Sequence, residues 1–173
     1  RLLEVKDIAK LYELWCGFQL VAVLRGLIGE PHDVAPLNET PFGLNVRQGL
    51  HARWSNGTEL AINPSYTQKQ GWHGRSRSVL VRPDFALFVP SSGLHLLDAK
   101  FRLKWTNAGD ESSEAKVEDL HKMHAYRDAI PEARSAWILY PGETADAYFD
   151  EGSETCGVGS LSLIHISEPT RPY

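Results

Sequence analysis

The 173-residue sequence predicts one α/β domain built on a mixed β-sheet with flanking helices. Two observations carry this prediction. Apolar residues recur with helical spacing near the N-terminus and again after residue 112, and short β-leaning apolar runs lie between and after these stretches. The chain is also long enough to bury a hydrophobic core without disulfides or structural metals.

The composition narrows the function classes. Lys plus Arg number 18 and Asp plus Glu number 22, so the net charge of −4 argues against a histone-like blanket of positive charge. Two cysteines, Cys16 and Cys156, are too few for a disulfide framework or a four-cysteine zinc site and predict plain thiols in a reducing compartment. Because no run of 18 apolar residues exists, we expect no membrane-spanning helix and no membrane partner.

The first element is a helix over about residues 5–28, which Gly29 and Pro31 end. Its apolar stripe begins with Ile8, Leu11, Tyr12, Trp15 and Phe18. Residues 30–43 contain three prolines and predict a surface connection. Asn56-Gly57 between two strand-like runs, 45–54 and 59–62, predicts a hairpin.

The second half contains a polar loop, two long strands, a helix and a final strand. Residues 64–78 are polar and Gly-rich, whereas 79–89 and 94–103 are β-leaning. The apolar spacing predicts a helix over 113–129, and Pro131 follows its end. Residues 136–140 predict a short buried strand.

Three charged residues lie inside the two long apolar strands: Asp84, Asp98 and Lys100. Charges in such a setting are costly to bury without a partner or a metal. A three-residue loop at 91–93 pairs Asp84 with Lys100 and Ala86 with Asp98, which places all three charged groups on one face. Two carboxylates and an ammonium in this arrangement suit Mg²⁺ and phosphodiester hydrolysis. An ordinary cross-strand salt bridge explains the same pattern.

Five sequence blocks, spread over about residues 8–160, carry a resemblance to a known family. They are Leu11–Trp15, Arg82-Pro83-Asp84, Leu97–Arg102, Asp119–Ala129 and Leu139–Gly142. The second and third resemble the signature of the PD-(D/E)XK nuclease superfamily. All five together resemble the C-terminal nuclease domain of McrC-like restriction subunits and a related family of unknown function. The resemblance implies a restriction-endonuclease-like core.

The resemblance also implies roles for individual residues. Asp84 and Asp98 would bind Mg²⁺, or Mn²⁺, Lys100 would serve the attacking water, and Glu13 would complete the acidic cluster. The residues around Glu13 on its helix are small or apolar, which supports an inward position, although pairing with a nearby arginine would explain it too. Lys122 and Tyr126 are similar to a Gln-x-x-x-Tyr element with Lys in place of Gln, so for them we expect phosphate contact.

Basic residues cluster around these acids. Between residues 69 and 104 seven basic residues stand against two acidic ones. The predicted nucleic-acid contacts are Arg75, Arg77, Arg82, Arg102, Lys122 and Tyr126. A scatter of unrelated surface charges is the alternative. We expect His121 and His124 to serve packing and the helix surface, and most tryptophans to be core, with Trp72 as a candidate base-stacking residue.

Residues 1–160 are expected to form the nuclease domain of a longer protein. Residues 161–171 are similar to the in-frame translation of a sequencing-library adapter, so 161–173 are expected to add nothing to the core; a genuine strand followed by a tail is the alternative. The expected function is a Mg²⁺-dependent DNA endonuclease in the prokaryotic cytoplasm, working with a McrB-like AAA+ motor. A non-catalytic binding module and an RNA-processing nuclease are the rivals.

Overall fold

The structure, a computed structural model, describes residues 5–36, 49–101, 111–141 and 145–162. These residues form two helices and eight strands, which confirms the predicted α/β class. The elements are α1 (Val5–Ile28), β1 (Asp33–Pro36), β2 (Leu50–Arg53), β3 (Glu59–Ile62), β4 (Phe85–Val89), β5 (Gly93–Ala99), α2 (Glu111–Ala129), β6 (Ala133–Tyr140), β7 (Asp146–Phe149) and β8 (Gly157–Ser162). The parts of the predicted strands at 45–48 and 102–103 lie outside the described residues.

The eight strands form one sheet in the order β1-β2-β3-β4-β5-β6-β8-β7. Strand β6 runs parallel to β5 and to β8, and the other neighbours are antiparallel, so the sheet is mixed as predicted. The β2–β3 hairpin turns at Gly57, whose φ of 83° is one that glycine adopts readily. Strand β4 is shorter than predicted, and Val81 instead forms an isolated bridge with Tyr66 in the loop before it.

The helices cover opposite faces of the sheet. On one face, Tyr12 and Cys16 of α1 join Phe85, Leu97 and other residues in what we call the α1-side core. On the other, α2 contributes to the α2-side core, which includes Met123, Ile130, Ala86 and Leu96. Because side chains alternate along a strand, Asp98 lies on the face of Leu96 and therefore beneath α2.

Helix α1 has a second apolar face that the rest of the chain leaves exposed. Leu11, Phe18 and Leu27 are more than half exposed. Ile8–Ile28 is long and apolar enough to cross a membrane by length and composition, with a mean hydropathy of 1.4. Core helices and signal sequences meet the same criterion, and the expected absence of a membrane-spanning helix stays a prediction.

The β4–β5 register differs from the predicted one by two residues. The loop is Pro90-Ser91-Ser92, Val89 pairs with Gly93, and Ala86 pairs with Leu96 rather than with Asp98. Gly93 is the first residue of β5, with a φ of 94°, instead of the last residue of the loop. Because the shift is an even number of residues, every side chain keeps its predicted face.

Strand β8 continues past the position at which we expected the fold to end. Leu161 pairs with Leu139, Ser162 pairs with Tyr140, and the Leu161 side chain packs against the α1-side core. The expectation that the segment from Leu161 onward contributes nothing to the core is therefore wrong for its first residue. Strand β6 extends to Tyr140, so residues after Ser160 can continue the pairing with it. An apolar residue at position 161 then packs against the core, whether or not it is native to the protein. Residues 163–173 lie outside the described residues.

Candidate active site

Asp84 lies directly before β4, two residues ahead of Ala86 and on the same face. Its Oδ2 accepts a hydrogen bond of 2.7 Å from the backbone N–H of Ala99 on the neighbouring strand. Burial, reinforced by the charge of Asp98, raises the pKa of Asp84 to about 7, against the opposing effect of the Ala99 hydrogen bond. The register shift explains this contact, because it brings Asp84 beside Asp98 and Ala99 rather than opposite Lys100.

Asp98 is the most buried acid of the site, with 1% of its surface exposed. Lys100 Nζ lies 2.5 Å from its Oδ2, and Lys122 Nζ lies 3.0 Å from both of its oxygens. The hydroxyl of Tyr126 is 3.3 Å from Oδ1. These cationic and hydroxyl donors compensate the carboxylate for the loss of water. Lys100, which directly follows β5, therefore pairs with Asp98 near the end of that strand and not across the hairpin with Asp84.

Lys122 and Tyr126 reach Asp98 from α2, because residues four apart share one face of a helix. The hydroxyl of Tyr126 is also 3.2 Å from the carbonyl oxygen of Arg82, and burial raises the pKa of Tyr126. The ammonium of Lys122 lies 5.1 Å from the centroid of the Tyr126 ring. The sequence suggested phosphate contact for both residues; the structure places both against the carboxylate of Asp98, and contact with a nucleic acid stays a prediction.

Glu13 is half-buried on α1, the helix on the opposite face from α2. Its charge contributes to the raised pKa of Asp84, which places the two acids within electrostatic reach. Within the described ranges no arginine pairs with Glu13, so the alternative of a structural ion pair has no support there. The described residues contain no group of three His, Cys, Asp or Glu side chains that could hold a metal. Glu13 therefore does not form a three-residue metal-ligand cluster with Asp84 and Asp98 in the described part of the chain.

The donor set fits a divalent cation held by the two aspartates. Both supply carboxylate oxygens, the donors that Mg²⁺ prefers, and Mg²⁺ commonly takes one or two carboxylates while water and substrate phosphate complete its shell. Burial and, after it, the charge of Asp98 raise the pKa of Asp84, and a bound cation would oppose both effects. The structure brings Asp84 and Asp98 side by side, and metal binding by these two acids and by Glu13 stays a prediction.

Three of the arginines predicted to contact nucleic acid are exposed in the loop before β4. Arg82 is exposed beside the site, where its carbonyl oxygen meets Tyr126. Arg75 and Arg77 are exposed farther along the loop, and the N–H of Arg77 donates to the carbonyl of Ala129 at the end of α2. Arg102 lies outside the described residues. Contact of these arginines with phosphates stays a prediction.

A second polar cluster, at the opposite end of β3 and β4, has no counterpart in the sequence analysis. Oε2 of Glu59 lies within 3.0 Å of ring nitrogens of His51, Trp72 and His73. Trp72 is thus held by Glu59 and half-buried, and it is not a free stacking platform. No motif marks this cluster, since its members come from β2, β3 and the following loop. His121 and His124 are both exposed on α2, so their predicted place on the helix surface is confirmed and the predicted packing is wrong.

The comparison with protein families agrees with this geometry. A family model described as the PD-(D/E)XK nuclease superfamily matches residues 10–145, a span that contains Glu13, both aspartates and Lys100. No curated protein and no solved structure matches the chain. The mixed sheet between two helices is a restriction-endonuclease-like α/β fold. With the family model covering most of its length, the chain belongs to the PD-(D/E)XK nuclease superfamily.

Proposed function

We propose that this chain is a metal-dependent endonuclease that hydrolyses phosphodiester bonds in DNA. One observation carries the proposal: Asp84 and Asp98 lie side by side on one face of the sheet, with the ammonium of Lys100 2.5 Å from Asp98. A purely structural ion pair needs one acid and one base. A second, half-buried acid with a pKa near 7 adds cost without structural benefit, and such perturbed acids are typical of functional sites.

In this proposal each residue has a separate task. Asp84 and Asp98 would hold Mg²⁺ or Mn²⁺, which when bound supplies Lewis-acid stabilisation of the phosphate and lowers the pKa of water. Lys100, about a quarter exposed at its side chain, would orient the attacking water and stabilise negative charge as it develops. The N–H of Ala99 fixes Asp84, and Tyr126 fixes Asp98. Glu13 would act from the α1 side through its charge.

The finer part of the proposal concerns the biological setting. The five sequence blocks support a McrC-like restriction or defence protein of the prokaryotic cytoplasm that acts with a McrB-like AAA+ motor. The exposed arginines of the loop before β4, Arg75, Arg77 and Arg82, support a nucleic-acid substrate because they offer positive charge to backbone phosphates. In the McrC-like setting that substrate is DNA.

The test compares matched DNA and RNA duplexes as substrates of the chain in Mg²⁺. We expect cleavage of DNA, loss of cleavage in Asp98→Asn, and wild-type cleavage in the control Asp128→Asn, which changes an exposed acid of α2. Preferential cleavage of RNA would replace the DNA proposal with an RNA-processing nuclease. Binding of DNA without cleavage, alone and with the motor partner, would support a non-catalytic module instead.

A further inference from the structure

Asp98 is surrounded by two ammonium groups and a hydroxyl, which contact the oxygens that a metal would use. One of its oxygens, Oδ2, is within 3.0 Å of both Lys100 Nζ and Lys122 Nζ, and Oδ1 receives Lys122 and Tyr126. These four contacts engage both oxygens of the carboxylate, whose lone pairs are the ones that a cation would need. If Asp98 holds a metal, at least one lysine must leave first.

The two lysines are not equally able to leave. Lys100 follows β5 directly, its backbone N–H bonds to Leu139 on β6, and its side chain is 27% exposed. Lys122 projects from a helix, and its side chain is 39% exposed. After leaving Asp98, its ammonium can reach water, and the face of the Tyr126 ring, 5.1 Å away, remains a second favourable position.

We propose that Lys122 is a built-in competitor for the metal: its ammonium occupies the cation position on Asp98 and is displaced when the divalent cation binds. This inference rests on the proposed metal-dependent function and adds a positioning residue to it. Lys122 keeps the buried carboxylate compensated while no metal is bound. Once displaced, it is a free ammonium beside the reacting phosphate, which reconciles its place in the structure with the phosphate contact that the sequence suggests.

The competition has a measurable consequence. Apparent affinity for a ligand falls in proportion to the fraction of molecules whose site is open to it. If Lys122 covers Asp98 in about nine molecules of ten, its removal tightens metal binding about tenfold, which corresponds to about 1.4 kcal/mol. Lys122→Gln removes the charge, and its amide can still donate to Asp98. Lys122→Arg keeps the positive charge, and its guanidinium can donate two parallel hydrogen bonds to the carboxylate and so bind it more strongly than an ammonium does.

The experiment titrates Mn²⁺ into the 173-residue chain by calorimetry, without nucleic acid. We expect Lys122→Gln to bind Mn²⁺ about tenfold more tightly than wild type and Lys122→Arg to bind it more weakly. The control Lys10→Gln, the same charge change at an exposed position of α1, should match wild type. In thermal unfolding, Mn²⁺ should stabilise Lys122→Gln more than wild type, a readout that does not depend on cleavage.

The outcomes separate this inference from the proposed function. Equal or weaker Mn²⁺ binding by Lys122→Gln, with binding lost in Asp98→Asn, would overturn the competitor role and leave the metal site intact. Tighter binding by Lys122→Arg would also overturn it. Absence of Mn²⁺ binding in both wild type and Lys122→Gln would overturn the inference and the two-aspartate metal site together.

Discussion

Asp98 and Lys100 should behave as one catalytic unit whose loss hardly affects folding. In Asp98→Asn the side chain keeps its shape, and its carbonyl oxygen can still accept hydrogen bonds from Lys122 and Tyr126. The change removes the negative charge that adds to the effect of burial in raising the pKa of Asp84. It leaves two ammoniums, but these are 27% and 39% exposed at their side chains, so water can solvate both.

The magnitudes follow from these contacts. We expect the free energy of unfolding to change by less than about 1 kcal/mol, because the lost ion pairs are offset by relief of Asp84. For a domain of this size that is about 2–4 °C in Tm. A metal ligand contributes several kcal/mol to the transition state, so cleavage should fall by at least about a thousandfold. Lys100→Ala should have a comparable effect, and the double variant should be hardly slower than either single one.

The assay pairs single-turnover cleavage of plasmid DNA in Mg²⁺, with the motor partner present, with calorimetric Tm values. Asp128→Asn serves as the control for both. A structural salt bridge behaves in the opposite way: breaking a buried pair costs about 3–5 kcal/mol, or roughly 10 °C here. If Asp98→Asn cuts at the wild-type rate and unfolds about 10 °C earlier, the reasoning is refuted.

Three further predictions concern binding, pH and the C-terminal strand. Replacing Arg75 and Arg77 by Ala should weaken DNA binding for all sequences and reduce the salt slope by about two, measured by fluorescence anisotropy, and an unchanged slope would contradict it. Burial lowers the pKa of His95, so the folded state disfavours its charged form; as pH drops below about 6.5, wild type should lose stability relative to His95→Gln, a difference that the exposed control His121→Gln should lack. Deleting 161–173 removes the partly buried Leu161 and should lower Tm by about 4 °C, and an unchanged Tm would contradict its packing.

The sequence is most informative where a local rule decides the structure. The apolar stripe with Gly29 and Pro31 fixes helix α1, whose observed bounds are Val5–Ile28. The positive φ that the β2–β3 turn requires makes Asn56-Gly57 a dependable signal. Because side chains alternate along a strand, Asp98 lies on a defined face of β5, even though the predicted β4–β5 register is wrong by two residues. This is why the acidic pair is predictable from sequence.

The remaining features depend on contacts that no local pattern encodes. Gly93 is compatible with two hairpin registers: the glycine can be the last residue of the loop or the first residue of the strand. The sequence alone therefore does not determine the register. All four residues of β7 are exposed, which removes the alternation that signals a strand. Strand β1 contains Pro36, tolerable only because the strand lies at the sheet edge. The Lys122–Asp98 pair joins residues 24 apart in sequence, and only the fold brings them together.

The most direct test of metal-dependent hydrolysis is cleavage of supercoiled plasmid DNA after chelation and restoration of the metal. We predict that wild type, with its motor partner, cuts in Mg²⁺, stops in excess EDTA and recovers when Mg²⁺ is restored. Asp84→Asn should stay inactive under all three conditions while unfolding at or above the wild-type Tm, because it loses a buried charge with a raised pKa. Cleavage that persists in EDTA, or an Asp84→Asn variant that cuts at the wild-type rate, would contradict the two-aspartate metal site.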